Sequence, residues 1–361
     1  MRMFSIVFLS LFCFSVSAEP ANVFKLGLTV CLTGPCAEDG DMTVKSVDLA
    51  VNEINSAGGI LGHKVETVVE DSQDAVSGAL AVTAFRKIQS NSLVKYIIGP
   101  SWSPGGLAVA PIVARTGLIM TSTSLGLEEF HQAGANIFNS RGTDDQGTRL
   151  VADYSIQKKH RRFVVISSTQ PWEEIQGRVF VERLKLQQVN EILELQINPE
   201  QSDFKAEMAR VLAYKPDAVF LANYIRMDLF AQGLRQVSYK GDFFAPILYE
   251  EKIRLADGAL EGAIAANLVQ VSPDFLTKFE STYKKKPTGE MTAAISYDTV
   301  YLYKAAIEKA NTFDTELVAK QLHLTEWKGA SGLIKFDSEG GAIRTPQIIL
   351  VKNGALVVAD K

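Results

Sequence analysis

A chain of 361 residues is too long for one ordinary hydrophobic core and points to about two domains. With 47% hydrophobic and 22% charged residues it has the make-up of a globular protein. Its net charge of −4 argues against a nucleic-acid partner, which selects basic surfaces.

The first residues read as an address. Arg2 supplies a positive start, Phe4 to Val16 is an apolar run, and Val16-Ser17-Ala18 puts small residues where a signal peptidase cuts. The run is shorter than the roughly 20 residues of a permanent span. A lipoprotein anchored through Cys13 is the rival reading, but Phe12 stands where that signal needs a small residue. Cleavage after Ala18 makes residues 1–18 a signal peptide and starts a soluble, periplasmic chain at Glu19. Loss of Arg2 takes the charge from −4 to −5, and loss of Cys13 leaves Cys31 and Cys36. In an oxidising compartment these two either pair across Leu32-Thr33-Gly34-Pro35 or remain small buried thiols. Two cysteines and four scattered histidines cannot build a closed zinc site, so neither metal nor cofactor is expected.

Strand and helix patterns then alternate. Phe24–Val30 is strand-like, and Val44, Val47, Val51 and Ile54 recur at helical spacing until Gly58-Gly59. Val65–Val69 is a second strand, Ala75–Ile88 an amphipathic helix, and Tyr96–Ile98 a third strand. A helix over 106–114 leads to the strand Leu118–Met120. A second series starts near Thr143, with helix 146–156, strand 163–166, helix 174–186 and strand 192–195. Helix 204–212, strand 218–221 and helix 227–236 complete it. Such βαβ repetition run twice predicts two similar α/β lobes, each a parallel sheet covered by helices. The tail differs: helix 297–310, strands 333–336, 347–351 and 355–358, and Asn353-Gly354 as a hairpin turn.

No nucleophile elbow, phosphate-binding loop, dinucleotide fingerprint or His-Glu-x-x-His helix is present, so no enzyme is expected. Gly58-Gly59-Ile60-Leu61-Gly62 follows a helix and reads as a turn. His63, His131, His160 and His323 fall in loops or polar runs. Polar residues gather instead just past strand ends, where open α/β sheets bind ligands. Ser101 and Ser103 follow the third strand, and Thr121, Ser122, Thr123 and Ser124 follow the fourth. They either hold a carboxylate or cap helices. In the second series Trp172, Tyr224 and Glu250 follow strands or short apolar runs. Two rings and a carboxylate suit an ammonium, or are two core aromatics and a surface acid.

Five pieces in order resemble the leucine/isoleucine/valine-binding proteins, type I periplasmic solute receptors of branched-chain amino-acid ABC transporters. They are Leu32-Thr33-Gly34-Pro35, Asn52-Glu53-Ile54-Asn55-Ser56-Ala57-Gly58-Gly59-Ile60, Lys95-Tyr96-Ile97-Ile98-Gly99, Tyr297-Asp298-Thr299-Val300, and Gly332-Leu333-Ile334-Lys335-Phe336-Asp337 with Gly340. The resemblance implies an α/β type I periplasmic binding protein, two Rossmann-like lobes joined by three hinge crossings. Lobe one would take 23–141 and 268–340, and lobe two 142–267 and 341–361. It implies a monomer that captures an amino acid or amino-acid-like molecule and delivers it to an inner-membrane ABC permease. A sensory receptor of the same fold, for an amide, urea or aromatic acid, is the alternative, and a secreted hydrolase is the third. By the same likeness Ser103, Ser122, Thr123 and Ser124 hold a carboxylate, while Tyr224, Glu250 and Trp172, in place of a second tyrosine, surround an amine. The family's further threonine falls on Gly126, and Asp39 stands where the branched-chain binders carry a tryptophan. A carboxylate there disfavours an aliphatic ligand side chain and suggests a polar or basic amino acid.

Overall fold

A computed structural model describes residues 22–75 and 77–359 of the chain. The signal-peptide reading, with Arg2 and Cys13, lies outside the described residues. The first half runs β1 (Val23–Val30), α1 (Ala37–Ser56), β2 (Lys64–Asp71), α2 (Gly78–Ser90), β3 (Val94–Ile98), α3 (Ser103–Val113), β4 (Ile119–Ser122), α4 (Glu128–His131) and β5 (Ile137–Asn139). These five strands form one parallel sheet in the order β2-β1-β3-β4-β5. The helical stripe on α1 is real: Val47, Val51 and Ile54 are buried against β1 and the later helices. Gly58 and Gly59 end it with φ of +100° and +79°. At Gly59 a Cβ would run into the His63 carbonyl, so only glycine fits that turn.

The second half continues α5 (Asp145–Gln157), β6 (Arg162–Ser168), α6 (Pro171–Leu186), β7 (Glu191–Ile197), α7 (Lys205–Tyr214), β8 (Ala218–Leu221), α8 (Met227–Gln236), β9 (Asp242–Phe244), α9 (Glu250–Leu255) and β10 (Ile264–Asn267). It ends with α10 (Pro273–Tyr283), α11 (Glu290–Ala310), α12 (Thr315–Leu324), β11 (Trp327–Gly329), β12 (Gly332–Ile334), β13 (Gln347–Lys352) and β14 (Ala355–Val358). The second sheet has the order β14-β13-β10-β9-β8-β6-β7, parallel except where β13 pairs antiparallel with β10 and β14. Asn353, at φ +53°, and Gly354 turn the β13–β14 hairpin. β11 and β12 form a small antiparallel ribbon.

Three differences from the sequence expectation matter for function. α3 begins at Ser103 rather than Gly106, so that serine sits on a helix's first turn. α11 begins seven residues earlier than expected, because Met291–Ser296 are buried on every side and so show no one-sided periodicity. β5 and β9 are three residues each, too short to show a pattern.

Helices α10 to α12 return to the first sheet, where Ala293, Tyr297, Val300 and Ile307 pack with Leu26 and Leu28. The chain therefore passes between the sheets after β5, after β10 and before β13. Two of these passages are bonded side by side. Asn139 N–H donates to Gly340 O at 2.8 Å, and Ala342 N–H to Asn139 O at 2.8 Å. The Arg344 guanidinium joins them through the Ser140 carbonyl at 2.6 Å.

Cys31 and Cys36 are joined as a disulfide, both sulfurs buried at the start of α1. The bridge closes a short loop, so its entropic contribution is modest. Cys31→Ala combined with Cys36→Ala is expected to lower stability by about 2 kcal/mol in urea titration, with the fold retained. A loss several times larger would mean that the bridge shapes the native loop itself.

Candidate functional site

The carboxyl ends of β1, β3 and β4 face those of β6, β8 and β9 across a cleft. Such strand ends leave helix N-termini and loop backbone exposed to a ligand. One wall carries Asp39, Trp102, Ser103 and Ser124, and the other carries Gln170, Trp172, Glu173, Tyr224 and Tyr249. Arg141 and Asp144, on the first passage, form the floor, and the empty space including the mouth is about 440 Å³.

Of the eight residues that the sequence assigns to the ligand, five meet there: Asp39, Ser103, Ser124, Trp172 and Tyr224. Three do not. Ser122 donates its hydroxyl to Pro100 O at 2.8 Å and accepts Leu125 N–H at 3.1 Å, so it ties two loops together. Thr123 accepts the Ser296 hydroxyl at 3.0 Å and anchors α11. Glu250 opens α9 and lines a separate cavity with Asn267, Gln270, Glu290 and Met291. The cause is the entry into α9. Extended backbone at Tyr249, φ −116° and ψ 157°, brings the tyrosine into the cleft and leaves the next side chain in the other cavity.

The carboxylate-holding amides expected on the first wall are also engaged. Ser101 N–H and Trp102 N–H donate to Asp74 Oδ2 at 2.6 and 2.8 Å. The Ser101 hydroxyl accepts Cys31 N–H at 3.1 Å, and Ser124 donates its own to Ser101 O at 2.7 Å. An internal carboxylate thus already occupies this corner; burial pushes Asp74 up to about 7 against the pull of those N–H groups.

Trp102, Arg141, Asp144, Glu173 and Tyr249 are cleft residues that the sequence reading missed. Trp102 lies between two serines that were singled out, and Glu173 directly follows Trp172. Arg141 and Asp144 follow β5, whose three residues gave no signal. Arg141 is 2% exposed and donates from both Nη atoms to Asp144 at 2.7 Å. Burial works against its charge, but Asp144 and the Tyr249 hydroxyl raise the guanidinium pKa overall. Trp172 Nε1 donates to the same Asp144 Oδ2 at 2.8 Å. Gly126 passes so close that a Cβ would meet Asp144 and Arg141, so the family's threonine has no room there.

Tyr224 is the centre of a ring cluster. Trp102, Trp172 and Tyr249 meet it edge-on at centroid distances of 6.0, 6.1 and 6.0 Å. Lys252 Nζ stands 5.0 Å from the ring centroid and pairs with Asp228 at 3.4 Å. Trp102 Nε1 donates to Asp39 Oδ2 at 2.7 Å, and burial raises Asp39 nonetheless. An indole therefore stands beside Asp39, supplied from the residue before α3 rather than from α1.

Burial pushes Glu250 up to about 7, with the nearby Glu290 charge adding to it. Its folded-state pKa exceeds the ordinary 4.5, so the folded protein holds the proton more tightly and its stability falls as pH rises from about 4.5 to 7. Glu250→Gln is therefore expected to raise stability by roughly 1–3 kcal/mol at pH 8 and by little at pH 4, measured by calorimetry. An equal gain at both pH values would contradict this burial.

A family profile described as periplasmic binding protein matches residues 23–352. The Leu/Ile/Val-binding protein BraC3 of Rhizobium johnstonii is 28% identical over 82% of this chain and 82% of its own length. The Leu/Ile/Val-binding protein of Escherichia coli K12 is 24% identical over 89% and 88%. Among solved structures, a leucine-binding protein of Thermotoga maritima superposes with a TM-score of 0.85 at 23% identity, covering 94% of this chain and 98% of its own. A solute-binding protein of R. palustris in complex with benzoate gives 0.83 at 16% identity, covering 93% and 95%.

Proposed function

The chain belongs to the periplasmic binding protein family, and from that premise we propose that it is the solute-binding component of an ABC transporter. It takes an amino acid or amino-acid-like molecule between two lobes and presents the closed form to a permease in the inner membrane. The observation that carries this reading is the cleft itself. Strand ends of two α/β sheets supply its walls, and the rings and charges inside are buried from both sides. Lobe one comprises 23–141 and 268–340, and lobe two 142–267 and 341–361. The leader, cut after Ala18, delivers the chain to the periplasm. The relatives whose names specify branched-chain amino acids support the amino-acid class.

Closure follows from shared contacts. Each lobe alone offers part of the site, so a ligand that touches both favours the closed form by its differential affinity. The contacts that bridge the lobes at the cleft include the Trp102–Tyr224 ring pair and Arg254 with Glu38 at 3.7 Å.

Thermal denaturation against the twenty amino acids, urea, acetamide and benzoate tests the reading. At least one amino acid should raise the melting temperature, with no turnover of any compound. Tyr224→Ala should then weaken the stabilising compound by about 2 kcal/mol in calorimetric titration, as an aromatic anchor does. Unchanged affinity would place the ligand elsewhere.

A further inference from the structure

We propose that this cleft selects a small organic cation and that Glu173 receives its positive nitrogen; the inference rests on the solute-binding reading above. Most of the groups that would hold an anion are already engaged; the buried Arg141 Nε–H, alone of that guanidinium, has no partner among the described residues. Ser101 and Trp102 give their amides to Asp74, and both Nη atoms of Arg141 go to Asp144. Lys252, behind the Tyr224 ring, is paired with Asp228. The carboxylates are in the opposite condition. With Arg141 and Lys252 taken by Asp144 and Asp228, Asp39 and Glu173 in the walls and Glu251 beside them have no cation of their own among the described residues.

Glu173 carries the sharpest signal. It is 1% exposed, and its Oε1 accepts Ile225 N–H at 2.7 Å, but its Oε2 has no partner in full hydrogen-bond geometry among the described residues, although the Ser168 hydroxyl lies close enough to the carboxyl to favour its ionised form. A buried carboxylate oxygen left without a donor is costly, and a ligand N–H would remove that cost. The rings of Trp102, Trp172, Tyr224 and Tyr249 stand around the same space, and their faces attract a cation. Burial pushes Glu173 up to about 7. The groups acting on it are Lys252 on α9, the Ser168 hydroxyl at the end of β6 and the Ile225 amide after β8. Asp39, Asp144 and Arg141 complete the charges of the cleft. A bound cation favours the ionised carboxylate, so binding strengthens as pH rises through about 7 and releases a proton.

Calorimetric titration with L-arginine, L-lysine and putrescine, against L-leucine, L-glutamate and benzoate, tests the inference. A cationic probe should bind at least about 30-fold tighter than the zwitterionic and anionic ones, the lower end for a buried charge pair. Glu173→Gln should abolish that preference, while Glu250→Gln, altered in the other cavity, should keep it. If Glu173→Gln fails to fold, the unaltered protein still reads the claim. Titrations of the cationic probe in two buffers of different ionisation enthalpy should show proton release near pH 7. Tight binding of L-leucine or benzoate without any cationic binding overturns the inference and leaves the solute-binding reading standing. Binding of no probe, with no compound raising the melting temperature, overturns both.

Discussion

The buried pair of Arg141 and Asp144 is the constraint on which the rest of the site depends. It lies on the first passage between the sheets and ties three parts of the molecule at once. Asp144 holds the guanidinium through both oxygens, takes the Trp172 indole from the second wall, and gives its own N–H to Gly126 on the first at 3.2 Å. A buried ion pair costs desolvation, and its net contribution to stability is small unless its remaining polar groups are satisfied. Its larger effect here is geometric. It fixes Trp172 and the Gly126 loop, leaves a glycine as the only residue that fits between them, and takes up both Nη atoms of the Arg141 guanidinium in the cleft.

From that pair follows the electrostatic character of the cleft. The first wall looks like an anion site, with serines at the end of β3 and at the first turn of α3. Asp74 fills it from within. What remains unmatched is negative charge, spread over both walls and held among aromatic rings. Burial raises the carboxyls of Asp39, Glu173 and Glu251 together, because the loss of solvent outweighs the nearby charges of Arg141 and Lys252. A closed cleft of this kind is at its least stable when empty and fully ionised.

The fold was legible because it is repetitive. β-branched strands and the α1 stripe of Val47, Val51 and Ile54 recur with a periodicity that survives without any partner in view. Trp172 and Tyr224 were legible for a related reason, since a residue just past a strand end has few places to point. Glu250, read from the apolar run before it and from the family likeness, lines the other cavity: that run is a loop entering α9, where one residue decides which cavity a side chain enters. Ser122 and Thr123 show the same limit: sequence places a hydroxyl near a cleft but does not say which backbone groups need it more. Arg141 and Glu173 are visible only once the passages bring distant segments together.

The most direct test of closure on a ligand is the distance between the two lobes at the rim. Glu38 on α1 and Arg254 on α9 meet at 3.7 Å across it, and nitroxides attached through Glu38→Cys and Arg254→Cys report that distance by pulsed electron resonance. With a compound that raises the melting temperature, one short, narrow distribution is expected. After that compound is stripped, a longer and broader one is expected. The same distribution in both conditions would contradict closure on the ligand.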